Sequence, residues 1–179
     1  DGKVFAIGDK ETWNKQQQMK NGTPGQLCPN TDNGLKEGSG TSVFDPVLCE
    51  LMYSWFCPPG GSILDPFAGE STKGIVAETL DYHYTGVELR TEQMEANNRQ
   101  AAKIGVKPTW IQGDSANIKN LVPLTTKFDL VWTSPPYYDL EVYSTKNEDG
   151  SAFGSYEQFM AWYRKIFAAC IRRLNDNRF

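Results

Sequence analysis

From residue 44 onward, apolar positions repeat at helical spacing and at strand spacing in turn. Asp45 then Pro46 reads as a helix cap followed by the first helical position. Val47, Leu48, Leu51, Met52 and Trp55 form an apolar stripe until PPGG stops the helix. SILDPFAG predicts a short buried strand running into a glycine turn, and STKGIVAETL the helix after it. YTGVEL, TWIQGD and FDLVWTS predict three further strands. TEQMEANNRQAAKIG predicts an intervening helix closed by Gly105. The last segment, SYEQFMAWYRKIFAACIRRL, carries Ser155 and Gln158 at capping-box spacing. Its Tyr156, Phe159, Met160, Tyr163, Phe167, Cys170 and Leu174 predict one buried face.

Strand alternating with helix defines an α/β fold with a mostly parallel sheet. Short, continuously apolar strands imply helices on both of its faces. Residues 1–40 are polar and glycine-rich, with VFAIG as a short strand, ETWNKQQQMK as a helical turn or two, and loop from 22 to 41. The division is therefore a polar N-terminal segment, 1–40, and one α/β domain, 41–179.

Composition narrows the function classes. Hydrophobic residues at 39% and charged residues at 22% are globular values, and no apolar run approaches a membrane span. A formal net charge of −4 is the wrong sign for a domain held to nucleic acid by bulk charge alone. Four cysteines without ligand spacing and one histidine, His83, argue against a metal site and for reduced thiols in a cytoplasmic protein.

In open α/β sheets ligands sit beyond the strand C-termini. Three acids end strands there: Asp65, Glu88 and Asp114. Glu88 follows Gly69 at the interval at which a carboxylate accepts from both hydroxyls of a ribose. Asp114 is suited to an exocyclic adenine amine. Gly69 lets backbone pass close to a ligand ahead of a helix. Glu70 in that turn would repel a diphosphate, which disfavours a dinucleotide and favours a ligand with a cationic centre and an amino acid part, such as S-adenosylmethionine.

Beyond the fourth strand comes TSPPYYDL, whose two prolines end the strand and stiffen the corner after it. TSPPY, with DPFAGEST, resembles the motifs of amino-group DNA methyltransferases. That resemblance implies that the target is an exocyclic base amine, a weak nucleophile because its lone pair is delocalised, and that the groups of this corner act on it. Two fixed acceptors on its hydrogens, the Ser134 hydroxyl and the Pro135 carbonyl, steer that lone pair toward a sulfonium methyl. Pro136 keeps them rigid, and Tyr137 offers a ring on which a flipped base stacks.

Together, DPFAGEST and TSPPY make residues 41–179 resemble the amino-group DNA methyltransferases. The resemblance implies a Rossmann-like methyltransferase fold and S-adenosylmethionine as cofactor. It assigns Phe44, Asp65, Phe67, Ala68, Gly69, Thr72, Glu88, Asp114 and Ser115 to the cofactor, and Ser134, Pro135, Pro136 and Tyr137 to catalysis. Serine ahead of the prolines favours cytosine N4 over adenine N6 as the target, in double-stranded DNA. Glu70 and Ser71 depart from the family's small residue and second glycine. The family's sheet continues where this chain stops, so a C-terminally incomplete domain with an open sheet edge is expected. Too few residues separate Asp114 from Ser134 for a recognition domain, which places sequence recognition beyond Phe179, in the 138–154 loop, or in a partner. RNA-base or glutamine methylation is disfavoured by Ser134 in place of asparagine. A cofactor-binding module without catalysis, tethered to a DNA-processing protein, is the alternative from another class.

Overall fold

The computed structural model describes residues 44–136 and 153–179. Tyr137, the 138–152 stretch and the readings made for residues 1–43 lie outside them.

Four parallel strands carry the fold: β1 (Ser62–Asp65), β2 (His83–Glu88), β3 (Thr109–Gln112) and β4 (Leu130–Val131), in the spatial order β3-β2-β1-β4. The helices are α1 (Pro46–Phe56), α2 (Thr72–Thr79), α3 (Thr91–Ile104), α4 (Ile118–Leu121) and α5 (Tyr156–Ile171). Because side chains alternate across a strand, neighbouring residues feed two cores. Ile63 packs with Cys49, Tyr53, Ala77, Tyr84 and Trp110 under α1, α2 and α3. Leu64 packs with Val87, Ile118, Val122, Ile166 and Cys170 under α4 and α5. The sheet is thus covered on both faces, as its apolar strands require.

Local signals act at the expected positions. Asp45 caps α1 by accepting from Val47 N at 2.8 Å. Gly105 ends α3 in the left-handed region at φ 88°, its N–H donating to Ala101. Ser155 Oγ accepts from Gln158 N at 3.3 Å.

Two helix faces differ from expectation. On α1 the stripe Val47, Leu48, Leu51 and Trp55 is exposed, Val47 by 61% and Trp55 by 67%. Cys49, Tyr53 and Cys57, spaced four apart, face inward instead. Tyr53 is fully enclosed because its phenol donates to the Lys73 carbonyl at 2.9 Å, so an amphipathic ring displaces the aliphatics. On α5 the core residues are Phe159, Ile166 and Cys170, flanked by Trp162 and Ala169. Tyr156 is exposed, and Tyr163 and Phe167 are half-buried in a 4.4 Å ring stack.

The fourth strand is also shorter than FDLVWTS, with two residues laddered to β1. Its outer side is not left open. Phe128 N donates to Arg173 O at 2.8 Å, Asn175 N to Phe128 O at 2.8 Å and Val131 N to Phe179 O at 2.7 Å. Phe128 and Leu174 form a parallel bridge there. Arg173 anchors this segment, its buried guanidinium donating to Val122 O at 2.7 and 2.9 Å and to Ala169 O at 2.7 Å.

Candidate active site

The β1–α2 turn is built on a buried charge. Asp65 is wholly enclosed, and its carboxylate has four donors. Lys73 Nζ lies 2.6 Å away, the Tyr84 hydroxyl donates at 2.7 Å and Phe67 N at 3.0 Å. The fourth donor is the Thr133 hydroxyl, one residue before Ser134. Lys73 also donates to Phe67 O at 3.0 Å. A buried carboxylate persists only when paired and hydrogen-bonded, and this one is both. Burial first, and the Asp65 charge second, push the Tyr84 phenol well above its ordinary range, so it serves as a donor. The outcome is a rigid link between the turn and the start of SPPY.

Gly69 is held from two sides. Its N–H donates to Glu88 Oε2 at 2.9 Å, and its carbonyl accepts from Asn97 Nδ2 at 2.8 Å. Its φ of 59° requires glycine or strain. Asn97, buried on α3 and steadied by Gln93 Nε2 at 2.9 Å, carried no sequence signal, because a polar residue mid-helix reads as solvated surface. Glu88 Oε1 also accepts from Arg90 N at 2.9 Å. Desolvation raises the Glu88 pKa, while the bonds from Arg90 and Gly69 oppose that shift. The Arg90 side chain also lies 3.7 Å from Oε1, and Oε2 retains a second acceptor site.

The other named residues have definite surroundings. Ala68 is buried, donating to Val87 O at 3.0 Å. Phe67 packs against Trp162 with centroids 5.4 Å apart. Asp114 caps the turn after β3 by accepting from Ala116 N at 2.8 Å. Ser115 is buried, its hydroxyl donating to Pro66 O. Thr72 donates through both N and Oγ1 to Glu70 at 2.7 Å.

Beside the turn lies an open cleft of about 640 Å³, lined by Phe44, Thr133, Ser134, Pro135 and Pro136 on one side and by Tyr156, Phe159, Met160 and Tyr163 of α5 on the other. Ser134 is exposed at its mouth, and both prolines are half-buried. The sequence reading assigned the α5 aromatics to the core. Their spacing fits a core face as well as a cleft wall, and nothing local separates the two. Among the described cysteines none is poised for attack: burial pushes Cys49 and Cys170 up to about 12 and Cys57 to about 11.

A parallel sheet in this order, with a glycine turn after β1 and an acid after β2, is the Rossmann-like methyltransferase fold. TrmN from Thermus thermophilus superposes with a TM-score of 0.57 at 18% identity, covering 74% of this chain and 36% of that one. An rRNA methylase from Streptococcus thermophilus does so with a TM-score of 0.51 at 9% identity, covering 75% and 67%. In sequence, the chain is 40% identical over 55 residues to the Type II methyltransferase M.SmaI of Serratia marcescens, covering 31% of this chain and 19% of that protein. The chain thus spans about a fifth of that relative's length. No protein-family profile matches it. No helix among the described residues is long and apolar enough to cross a membrane.

Proposed function

We propose that this chain carries the catalytic segment of an S-adenosylmethionine-dependent DNA methyltransferase that methylates an exocyclic amine of a flipped base, cytosine N4 before adenine N6. The observation that carries the reading is the Asp65–Thr133 hydrogen bond, which ties the glycine turn to the Ser134-Pro135-Pro136 corner beside an aromatic cleft. The local similarity to a Type II methyltransferase supports DNA as substrate.

In this reading the Gly69 turn, Glu88 and Asp114 would hold the cofactor. Glu88 accepts from the ribose hydroxyls and Asp114 from the adenine amine. Asp65, Ala68 and Ser115 set the turn's shape rather than touch the ligand, since their polar groups are already engaged inside the protein. The target base enters the cleft, where the Ser134 hydroxyl and Pro135 carbonyl accept from its amino hydrogens. The cofactor would supply the methyl group as an activated sulfonium, and the Ser134 and Pro135 acceptors would turn the amine's lone pair toward it while the amine's spare proton passes to water. Fixed acceptors lower the barrier because they need not reorganise as charge develops. Tyr137 and the α5 aromatics supply the stacking surface.

Incubating the protein with methyl-labelled cofactor and duplex DNA, RNA or protein, then digesting the DNA to nucleosides for mass identification, tests this. Labelled N4-methylcytosine is the expected product, and N6-methyladenine would move the target to adenine. Label confined to RNA or protein would overturn the DNA assignment. Cofactor binding without any transfer would leave a binding module.

A further inference from the structure

We infer that Glu70 is a positioning residue that fastens Phe44, one wall of the Ser134 cleft, to the turn assigned to the cofactor. The roles given to cleft and turn rest on the proposed function, whereas the latch stands on contacts alone. One oxygen, Oε2, accepts from Thr72 N and Thr72 Oγ1 at 2.7 Å, which secures the start of α2. A short serine or threonine could do as much. The second oxygen does what a short side chain cannot. Oε1 reaches back 26 residues to accept from Phe44 N at 3.1 Å.

That bond sets where the chain enters α1. The Phe44 ring stands edge-on to Trp132 at 5.0 Å and 86°, lies 5.6 Å from Lys73 Nζ, and lines the cleft beside Thr133, Ser134 and the two prolines. One carboxylate therefore braces the turn with one oxygen and the cleft wall with the other. Substituting the family's small residue by glutamate thereby gains a strut from turn to cleft.

The test separates the two oxygens. Glu70→Ser keeps an acceptor for Thr72 N but is too short for Phe44, whereas Thr72→Val removes only the hydroxyl bonded to Oε2 and leaves the Oε1 bond to Phe44 N in place. Fluorotryptophan labelling reads Trp132 by fluorine resonance, assigned with Trp132→Phe, and Phe44→Leu marks the signal of a displaced ring edge. Glu70→Ser is expected to move the Trp132 resonance as Phe44→Leu does, and Thr72→Val to leave it in place. For Glu70→Ser, KM for duplex DNA should rise about tenfold or more, a larger factor than any change in the Kd for S-adenosylhomocysteine measured by calorimetry. An unmoved Trp132 signal in Glu70→Ser overturns the latch. So does a loss of S-adenosylhomocysteine affinity beyond about tenfold without a rise in KM for DNA, which would make Glu70 a cofactor contact. If the wild type neither binds S-adenosylhomocysteine nor transfers methyl, the methyltransferase reading fails, and the Trp132 signal still decides the latch.

Discussion

The knot beneath the turn and the cleft at Ser134 lie one residue apart along the chain at Thr133, yet they are opposite in character. Around Asp65 every charge is enclosed and partnered, by Lys73, Tyr84, Phe67 and Thr133. Around Ser134 the surfaces are aromatic and proline-rich, and the hydroxyl is open to solvent. Asp65, one of the three acids that end strands, is partnered inside the protein, and the groups that the proposed function assigns to the substrate are few and uncharged. Charge is used where it can be buried against charge. The cleft is left with neutral acceptors whose value lies in being fixed.

The largest effect should come from breaking the knot. Lys73→Met leaves Asp65 buried without its counter-charge, and such losses cost about 3–5 kcal/mol. Urea unfolding measures it, and a loss below about 1 kcal/mol would mean that the pair is not what holds the turn. Ser134→Ala should do the converse. Stability is expected to stay within about 0.5 kcal/mol. Single-turnover methyl transfer should slow by roughly 10²–10³, the usual cost of one preorganised group. Wild-type transfer in this variant would reduce SPPY to a turn.

Glu88, at the end of β2 beside the glycine turn, should respond to pH in two opposite senses. Its folded pKa is raised, so its contribution to stability is fully present below the unfolded value and is lost as pH rises through the folded one. Holding ribose hydroxyls needs the ionised form, so S-adenosylhomocysteine affinity should rise over that same window, above the ordinary glutamate range. Glu88→Gln is expected to flatten both profiles and to weaken binding by about 1.5–3 kcal/mol at neutral pH. An affinity that does not change with pH in the wild type removes Glu88 from the ribose site.

Within the cleft, Tyr163→Ala should weaken binding of single-stranded target DNA by about 1–3 kcal/mol, the range for loss of one stacking ring. Cofactor affinity should be unchanged, and Tyr163→Phe should restore binding. Equal binding by the alanine variant would place the base elsewhere. The smallest effect belongs to the exposed stripe of α1. Trp55→Ser should shift stability by no more than about 0.5 kcal/mol, because the ring is 67% exposed. A larger loss in thermal unfolding would mean that this face is covered in solution.

Strand and helix order, the caps at Asp45 and Ser155, the stop at Gly105 and the place of SPPY after the fourth strand were legible in the sequence. Each depends on backbone chemistry within a few residues, and such chemistry acts wherever the segment ends up. Which face of α1 or α5 turns inward was not legible. Both helices carry apolar residues on more than one face, and the choice falls to partners far along the chain: the Lys73 carbonyl for Tyr53, Leu64 and Val87 for Ile166. The same holds for the site. The acids at the strand ends announced a ligand-bearing edge, but burial alone decided that Asp65 is spent on Lys73 and Tyr84. Asn97 and Arg173 had no signal at all, since a lone polar side chain on a helix or just past its end becomes structural only when a distant carbonyl, Gly69 or Val122, meets it in the interior. Local order is written in neighbouring residues, and the use of each buried polar group is settled by tertiary packing, because an enclosed donor or acceptor must find its partner wherever the fold brings one.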